Sequence, residues 1–452
     1  MAHWDLSTLL AEDRSHLLHP LYHPEDHVKP HIWVKGQGII LTDAEGHELI
    51  DGLSCLWNVN VGHGRRELAE VAAEQLSTLA FSVNYAGAAN VPAIRLASRL
   101  SEIACPNLVA TFFASGGAEA NESAFKTARF YWKAKGRPGK VKIISRQMAY
   151  HGVTLAAMSA TGIPGYTKMF EPCVPNFIHT ATPYAYRFEG AKPGETVGQA
   201  AARMLEETIL REGPETVAAF IAEPVQGTGG VIVPPDDYFP RVRQICTKHD
   251  VLFIADEVIT GFGRTGEWFG LKHWGVQPDI MAFAKGVTSG YLPLGGIMVS
   301  QPILDAMLSV PYADRWMHAY TYSGHPTCCA LALRNLEIIE KEGLVENAAK
   351  MGARLLAGLK GLQDLKAVGD VRGLGLMAGV ELVADRSSKA AFDPAKKVLG
   401  KVRIELETRG LLVRAVRDSL ILAPPLIVTE AQVDRIVQIM RDGIAAVVPE
   451  RV

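Results

Sequence analysis

Long apolar runs and an excess of charge of either sign are both missing from this sequence. No run reaches the roughly 20 apolar residues that a membrane-spanning helix needs, and the first residues lack the basic and apolar segments of a secretory signal. The 46 lysines and arginines nearly balance the 48 aspartates and glutamates, so the chain lacks the basic surface that binds nucleic acid or an anionic membrane. We therefore expect small-molecule partners, and neither a nucleic-acid nor a membrane partner.

Cysteine is scarce and irregularly spaced. The six cysteines are Cys55, Cys105, Cys173, Cys246, Cys328 and Cys329. Their spacing does not fit a disulfide framework and is typical of reduced thiols. The sequence therefore predicts a cytoplasmic protein.

A regular set of metal ligands is also missing. Five N-terminal histidines are separated by prolines that break any common helical face, and no cysteine or pair of carboxylates completes a ligand set. These histidines are His16, His19, His23, His27 and His31. We predict no metal site.

The chain is longer than one hydrophobic core usually supports, and its 452 residues predict two domains. From about residue 67 to residue 323, short apolar runs alternate with stretches of helix formers. This alternation is typical of an α/β fold whose mainly parallel sheet is covered by helices on both faces. We expect a large domain over 61–325, a smaller α+β domain over 326–452, and an N-terminal segment, 1–60, that packs with the small domain.

The first sixty residues are rich in proline and histidine and are predicted to be largely irregular. The exception is a β-hairpin formed by residues 39–43 and 48–51. After Pro326 the pattern predicts a long helix to residue 341, followed by a mixture of helices and short strands.

Two apolar runs end abruptly at a charged residue. Residues 251–255 are followed by Asp256, and residues 280–284 are followed by Lys285. Buried parallel strands end in this way at the sheet edge where ligands bind. There a lysine can form a Schiff base with the aldehyde of pyridoxal phosphate (PLP), while an aspartate keeps the pyridine nitrogen protonated. Taken alone, the pair fits an ion pair at a sheet edge equally well.

A glycine turn lies upstream of these strands. Gly116 and Gly117 follow the apolar run 108–113 and precede the helix formers of 122–135. The free N–H groups at the start of such a helix suit a phosphate group. An ordinary tight turn is the alternative for the glycines alone, but their position before the Asp256 and Lys285 strands favours a PLP site.

Longer motifs connect these residues. The segment DEVITGFGRTG (256–266) resembles a motif of the class III aminotransferases, which are PLP enzymes of fold type I. The resemblance covers essentially the whole chain in order, through WNVNVGHG (57–64), YHG (150–152), EPVQG (223–227), AKG (284–286), TYSGHP (321–326) and APP (423–425). It implies PLP as the cofactor and transamination as the reaction.

The resemblance implies a role for each residue around the cofactor ring. Lys285 is expected to hold the cofactor and to carry the proton between the substrate carbon and the cofactor carbon. Asp256 is expected to keep the pyridine nitrogen protonated. Val258 and Tyr150 are expected to pack against the two faces of the ring.

Further cofactor contacts are implied by the same resemblance. Backbone N–H groups of Gly117 and Ala118 are expected to bind the phosphate, and Glu223 is expected to line the cofactor site. In relatives, the residue matching Thr321 reaches the phosphate of the neighbouring subunit's cofactor. We therefore expect a homodimer or a homotetramer with shared active sites.

Departures from the family pattern indicate the substrate. In ornithine- and γ-aminobutyrate-type relatives, an arginine two residues before the APP motif pairs with the glutamate matching Glu223, whereas Ile421 and Leu422 fill that stretch here. Those relatives also carry a glutamine at the position of Ile259. Arg414 instead matches the mobile arginine of the ω-amino acid and amine:pyruvate transaminases, which can pair with a carboxylate and swing away from an apolar amine.

The remaining predicted substrate contacts are Trp57, Tyr85 and Tyr150. Trp57 shares its motif with the ω-amino acid and amine:pyruvate transaminases, although a core aromatic residue is the usual role of a tryptophan. Arg417 is an alternative to Arg414 as the carboxylate clamp, and a surface cation is the alternative for both.

The sequence thus predicts a PLP-dependent transaminase that moves an amino group from an ω-amino acid, diamine or primary amine to pyruvate. The alternatives are a PLP-dependent aminomutase and a class III transaminase that uses 2-oxoglutarate. A non-catalytic protein that has kept the fold is disfavoured because both Lys285 and Asp256 are present. Donors from β-alanine and taurine to putrescine and 1-phenylethylamine all remain open.

Overall fold

The computed structural model describes residues 5–28 and 30–448, without the side chains of residues 26 and 27. The side chain of His27, one of the N-terminal histidines, therefore lies outside the described residues. The strands are β1 (Trp33–Gln37), β2 (Ile40–Asp43), β3 (Glu48–Asp51), β4 (Leu108–Ala114), β5 (Lys142–Arg146), β6 (Phe177–Thr180), β7 (Val217–Ala222), β8 (Leu252–Asp256), β9 (Ile280–Phe283), β10 (Gly295–Ser300), β11 (Val368–Gly373), β12 (Ala378–Leu382), β13 (Leu411–Leu412), β14 (Arg414–Val416) and β15 (Ser419–Leu422).

The helices are α1 (Leu6–His16), α2 (Ser54–Trp57), α3 (Arg66–Leu79), α4 (Val91–Ile103), α5 (Gly117–Ala134), α6 (Leu155–Ala160), α7 (Val197–Glu212), α8 (Tyr238–Lys248), α9 (Gln301–Ser309), α10 (Pro326–Lys341), α11 (Leu344–Lys360), α12 (Val398–Thr408) and α13 (Glu430–Val447). Reciprocal side-chain and backbone hydrogen bonds start α7 at Thr196 and α13 at Thr429, because the cap hydroxyls bind otherwise free N–H groups. Within the described ranges, no helix combines the length and the apolar character needed to cross a bilayer.

A seven-stranded sheet forms the centre of the fold, in the order β4-β10-β9-β8-β7-β5-β6. Every neighbouring pair is parallel except those of β10, which runs antiparallel to both β4 and β9. Strands β7, β8 and β9 are buried at every residue, as expected for parallel strands covered on both faces. The predicted α/β fold with a mainly parallel central sheet is confirmed.

Helices pack on both faces of this sheet. In β8, Phe253 and Ala255 face one core, to which α7, α8 and α10 contribute, whereas Ile254 faces a second core with α5 and α9. The alternation of side chains along the strand therefore decides which face each residue reaches. The same alternation turns Asp256, at the end of β8, towards the face that carries α5.

Two four-stranded sheets lie outside the central sheet, with the orders β1-β2-β3-β13 and β11-β12-β15-β14. The predicted hairpin is confirmed as the antiparallel pair β2 and β3. Ile50 and Asp51 of β3 also pair in parallel with Leu411 and Leu412 of β13. This pairing places an N-terminal strand and a C-terminal strand in the same sheet. The domain boundaries at residues 60 and 325 stay predictions.

The expectation of an irregular N-terminus was wrong for α1. The side chain of Asp5 accepts a hydrogen bond from the Ser7 N–H and starts the helix. Proline is missing from residues 6–16, so nothing interrupts the helix before the proline-rich segment begins. Strand β1, which pairs with β2, also lies in the segment expected to be irregular.

Candidate active site

The two predicted strand ends lie side by side. Asp256 ends β8 and pairs in register with Ala282 of β9, and Lys285 follows β9 after one further residue. Lys285 adopts a left-handed backbone conformation with φ 47°, which is unfavourable for any residue with a Cβ atom. The tight turn at this point keeps the lysine beside the end of β8.

Burial makes the Lys285 amine easier to deprotonate. Loss of solvent around the amine, aided by the positive charge of Arg414, lowers the pKa of Lys285 to about 8, although Asp256 and Glu223 act in the opposite direction. A neutral amine is the form that attacks a carbonyl group, so this environment prepares the lysine as a nucleophile near neutral pH.

A network of donors holds the buried carboxylate of Asp256. Its Oδ2 lies 2.7 Å from His151 Nδ1 and accepts a hydrogen bond of 2.8 Å from Asn121 Nδ2. Its Oδ1 accepts a bond of 3.1 Å from the Val258 N–H. A carboxylate oxygen can accept more than one hydrogen bond, so Oδ1 retains the capacity to bind a protonated ring nitrogen.

Sequence reasoning missed Asn121 and His151. His151 is fully buried at its side chain and lies in the motif that drew attention to Tyr150. Asn121 lies four residues after Gly117 in α5, so both fall on the same side of that helix. Its Nδ2 also donates to the His151 carbonyl at 2.8 Å. The spacing within α5 was the available signal, but it does not reveal which strand the helix faces.

The glycine turn packs directly against the Asp256 strand end. A Cβ atom added to Gly117 would lie 2.8 Å from Val258 Cγ1, so only glycine permits this approach. A Cβ atom on Gly152 would lie 2.7 Å from the Cβ atom of Ala118. The helix start, the 150–152 loop and Val258 therefore meet at one place, with the N-terminus of α5 available for a phosphate.

Two further glutamates are buried near Asp256, and they have different partners. Glu223 accepts hydrogen bonds of 3.1 Å from the Tyr150 and Gly227 N–H groups. Glu257 accepts bonds from the N–H groups of 270 and 271 at 2.8 and 2.9 Å. Burial raises the pKa of each glutamate to about 7, and the charge of Asp256 adds to the effect.

Trp57 lies in an apolar cluster beside this cleft. The indole is 2% exposed and packs in one core with Ile259 and Ile421. Ile421 in β15 lies directly opposite Arg414 in β14, and residues opposite each other in an antiparallel pair share a face of the sheet. Arg414 therefore lies on the face that carries Trp57, and its charge influences both Tyr150 and Lys285.

Arg417 lies elsewhere, in the turn between β14 and β15. It lines a small crevice with Glu381 and Asp418, and its positive charge acts on Glu381. The structure thus separates the two arginines that the sequence left as alternatives, and Arg414 is the one whose charge acts on Lys285.

Thr321 and Tyr85 lie on the surface of the single chain. Tyr85 is 52% exposed and Thr321 is also exposed. Their two loops contact each other through the Phe81 and Tyr322 rings, whose centroids are 5.9 Å apart. Within the described part of the chain, no hydrogen bond links either side chain to Asp256 or Lys285, so the roles of both residues stay predictions.

The residues present fit PLP. A lysine with a lowered pKa and a buried carboxylate with spare acceptor capacity lie at the same end of the central sheet, beside the start of α5. When bound, PLP supplies an aldehyde that reacts with amines and a protonated ring that withdraws electrons from a substrate carbon. In this cleft, Asp256 would hold the ring proton, Lys285 would move the substrate proton, and Val258 with Tyr150 would confine the ring.

Comparisons with known proteins agree with this geometry. Residues 21–444 match the family model for class III aminotransferases. The chain is 40% identical over 435 residues to a putrescine–pyruvate aminotransferase from Pseudomonas aeruginosa, covering 95% of this chain and 94% of that one. It is 40% identical over 409 residues to a diaminobutyrate–2-oxoglutarate transaminase from Halomonas elongata, covering 89% and 87% of the two chains.

A solved structure has the same fold over nearly the whole chain. It is a thermostable (S)-enantioselective omega-transaminase from Thermomicrobium roseum, which superimposes with a TM-score of 0.95 at 49% identity. The match covers 98% of this chain and 99% of that one.

We expect Lys285→Ala to remove the covalent attachment of PLP while the protein stays folded, because this residue follows a strand end and carries the reactive amine. Borohydride reduction of the wild-type protein, followed by peptide mapping, should find the cofactor on Lys285.

Lys140 provides a matched control, since burial lowers the pKa of this lysine to about 8 as well. Its Nζ donates to the Pro214 carbonyl at the opposite edge of the sheet. Lys140→Met should retain the label on Lys285, and label on another lysine in the wild-type protein would show that the assignment is wrong.

Asp256→Asn should keep bound PLP and lose turnover by roughly a hundredfold or more, because an amide cannot hold the ring nitrogen protonated. The neighbouring variant Glu257→Gln should change turnover little, since Glu257 binds backbone N–H groups on the other side of the strand. Turnover numbers and PLP absorbance would be measured for both variants. Equal losses in the two would contradict a special role for Asp256.

Proposed function

Because the chain belongs to the class III aminotransferases, whose cofactor is PLP, we propose that its amino acceptor is pyruvate. The donor is an ω-amino acid, a diamine or a primary amine, and the products are alanine and an aldehyde or ketone. The reaction consists of two half-reactions connected by pyridoxamine phosphate.

The observation that carries this proposal is the arrangement of Arg414 and Ile421. Position 421 lies two residues before the APP motif, where an arginine clamps the substrate in some relatives. Here it is Ile421, which is apolar and fully buried. Arg414 lies on the neighbouring strand β14, directly opposite Ile421 and on the same face of the sheet. Arg414 is partly exposed, and among the described residues its side chain makes no hydrogen bond or ion pair.

An arginine without a fixed partner suits two kinds of substrate. It can form a bidentate pair with the carboxylate of pyruvate and move away when an apolar amine occupies the same place. Glu223 supports this view, because both hydrogen bonds to its carboxylate come from backbone N–H groups. A glutamate held in this way does not need an arginine partner.

The pyruvate-dependent relative from Pseudomonas supports pyruvate as the acceptor. The relative from Halomonas supports 2-oxoglutarate as a second candidate, and an aminomutase is a further alternative. A panel of donors, assayed with each keto acid, separates these functions. Alanine formed from pyruvate supports the proposal, glutamate formed only from 2-oxoglutarate favours the second candidate, and isomerised donor without keto acid favours the mutase.

We also propose that the enzyme is cytoplasmic and that it forms a homodimer or a homotetramer. Each chain would consist of a large PLP-binding domain over 61–325 and a small domain over 326–452, with residues 1–60 packed on the small domain. The free state of all six cysteines supports a reducing compartment. The adjacent exposed loops of Tyr85 and Thr321 support a partner subunit in that region, because their apolar neighbours Phe81 and Tyr322 are 40% and 59% exposed.

Arg414→Ala should raise the Michaelis constant for pyruvate and for carboxylate-bearing donors. A charge-assisted pair contributes about 1.5–3 kcal/mol, so the specificity for the keto acid should fall roughly ten- to hundredfold. The half-reaction with 1-phenylethylamine, which lacks a carboxylate, should be nearly unchanged. Single-turnover measurements with the amine alone and with pyruvate alone would separate the two steps.

Arg417→Ala is the control for this prediction, because Arg417 has the same charge in the neighbouring turn. It should leave both half-reactions close to wild type. Equal loss of both half-reactions in Arg414→Ala would assign Arg414 a structural role, and selective loss in Arg417→Ala would make Arg417 the clamp.

Mixed oligomers should test the shared site. A Lys285→Ala protomer with intact Thr321 is expected to complement a Thr321→Val protomer with intact Lys285, because one of the two sites in a mixed dimer then has both residues. Each variant alone should have low activity, which should return after subunit exchange. Absence of recovery, with mixing demonstrated by mass-tagged subunits, would contradict the contribution of Thr321 across the interface.

A further inference from the structure

A cluster of three metal-ligating side chains lies outside the PLP cleft. The ligand atoms of Asp51, Cys55 and His63 all lie within 4.8 Å of one another. The sequence predicted no metal site because these residues are brought together only by the fold, and we propose that the three side chains form a binding site for a divalent cation of the zinc class. This proposal is independent of the substrate and of the acceptor proposed above.

The distances fit tetrahedral coordination. The Cys55 sulfur lies 3.9 Å from His63 Nε2, and the same nitrogen lies 2.9 Å from Asp51 Oδ2. With the metal–ligand bond lengths typical of zinc, tetrahedral ligand atoms are separated by about 3.3–3.7 Å. The observed distances lie on either side of this range, so side-chain movements of a few tenths of an ångström bring the ligands into place.

Backbone contacts hold two of the ligands in position. The Asp51 carboxylate accepts hydrogen bonds from the Leu53 N–H at 3.2 Å and from the Cys55 N–H at 2.8 Å. His63 exchanges two backbone hydrogen bonds, of 2.8 and 3.0 Å, with Gly38. A Cβ atom on Gly36 would lie 2.8 Å from the His63 side chain, so the imidazole packs closely on β1. The site therefore needs little reorganisation to bind an ion.

Charge and access also favour a cation. Asp51 is fully buried, and its only ion-pair partner among the described residues is His63. Cys55 is exposed, so an ion can reach the cluster from solvent and a water molecule can complete the fourth position. On binding, the Cys55 thiol loses its proton to solvent and the thiolate becomes a ligand.

A nucleophilic triad is the other chemistry that these residue types suggest, and the geometry opposes it. In such a triad the cysteine and the carboxylate contact different imidazole nitrogens. Here both Cys55 and Asp51 contact Nε2 of His63. A single nitrogen facing a sulfur and a carboxylate oxygen is the arrangement expected around a shared metal ion.

The backbone of Cys55 provides a conservative way to remove the thiol. Its φ of 55° lies in the left-handed region, where glycine is the favoured residue. Cys55→Gly therefore deletes the ligand without adding strain, and Cys55→Ser keeps the size of the side chain. Cys173→Ser, at a partly buried cysteine outside the cluster, is the matched control.

Cobalt(II) would be the probe, because a thiolate ligand gives cobalt a charge-transfer absorption band. The holoenzyme would first be freed of affinity tags and treated with a chelator. It should then bind about one equivalent of cobalt(II) per chain and show this absorption band, and zinc should displace the cobalt. Cys55→Gly and Cys55→Ser should both lose the band and at least about tenfold in affinity. Cys173→Ser should behave as the wild type.

Two further measurements make the test decisive. His63→Gln should also weaken cobalt binding at least about tenfold. Zinc should raise the melting temperature of the wild-type holoenzyme but not that of Cys55→Gly, since an ion that binds only the folded state stabilises it. A second group of possible ligands, Asp43, Glu45 and His47, lies on the hairpin, and His47→Ala should leave the band unchanged.

Several outcomes would overturn the proposal. The first is absence of a thiolate band in the wild-type protein. The second is a band that survives in both Cys55 variants or disappears in Cys173→Ser. The third is binding that is insensitive to His63→Gln, which would leave the His63 and Asp51 contact as an ordinary hydrogen bond.

Discussion

The hydrogen bond between Asp256 and His151 is the interaction on which the site depends. A buried carboxylate is costly unless donors surround it, and the donors come from separate parts of the chain. His151 belongs to the loop after β5, Asn121 to α5, and the Val258 N–H to the segment after β8. Satisfying this one charge therefore fixes the start of α5, the 150–152 loop and the end of β8 relative to one another.

The two buried glutamates show how burial shifts the pKa of a carboxyl group in this part of the protein. Burial raises the pKa of Glu223 and of Glu257 to about 7, above the ordinary value of 4.5. The folded protein therefore binds these protons more tightly than the unfolded chain does. Their contribution to stability is complete below about pH 4.5 and is lost as the pH rises through 7. Both carboxyls depend on backbone N–H groups, so they stabilise loops around the cleft.

Much of the fold and part of the site were predictable from the sequence, because the strands of a covered parallel sheet are short apolar runs with abrupt ends. That pattern was sufficient to find Asp256 and Lys285. Asn121 and His151 were missed because their importance depends on which helix face meets which strand. Arg414 and Arg417 could not be separated because only the pairing of β14 with β15 shows which of them faces Trp57. Helix α1 was missed because it buries no residue and so lacks the apolar pattern of a packed helix.

If Arg414 is the proposed clamp, its place on β14 in place of an arginine at position 421 would explain how specificity changes while the fold stays the same. A side chain opposite another in an antiparallel pair reaches the same space from the neighbouring strand. On β14 the charge of Arg414 still acts on Lys285, and the buried Ile421 makes position 421 apolar. A fixed arginine at position 421 would bind a carboxylate in every substrate, whereas the proposed clamp Arg414 can move away when no carboxylate is present. The two requirements of the proposed reaction, an acidic acceptor and an uncharged donor tail, would then be met by one mobile side chain.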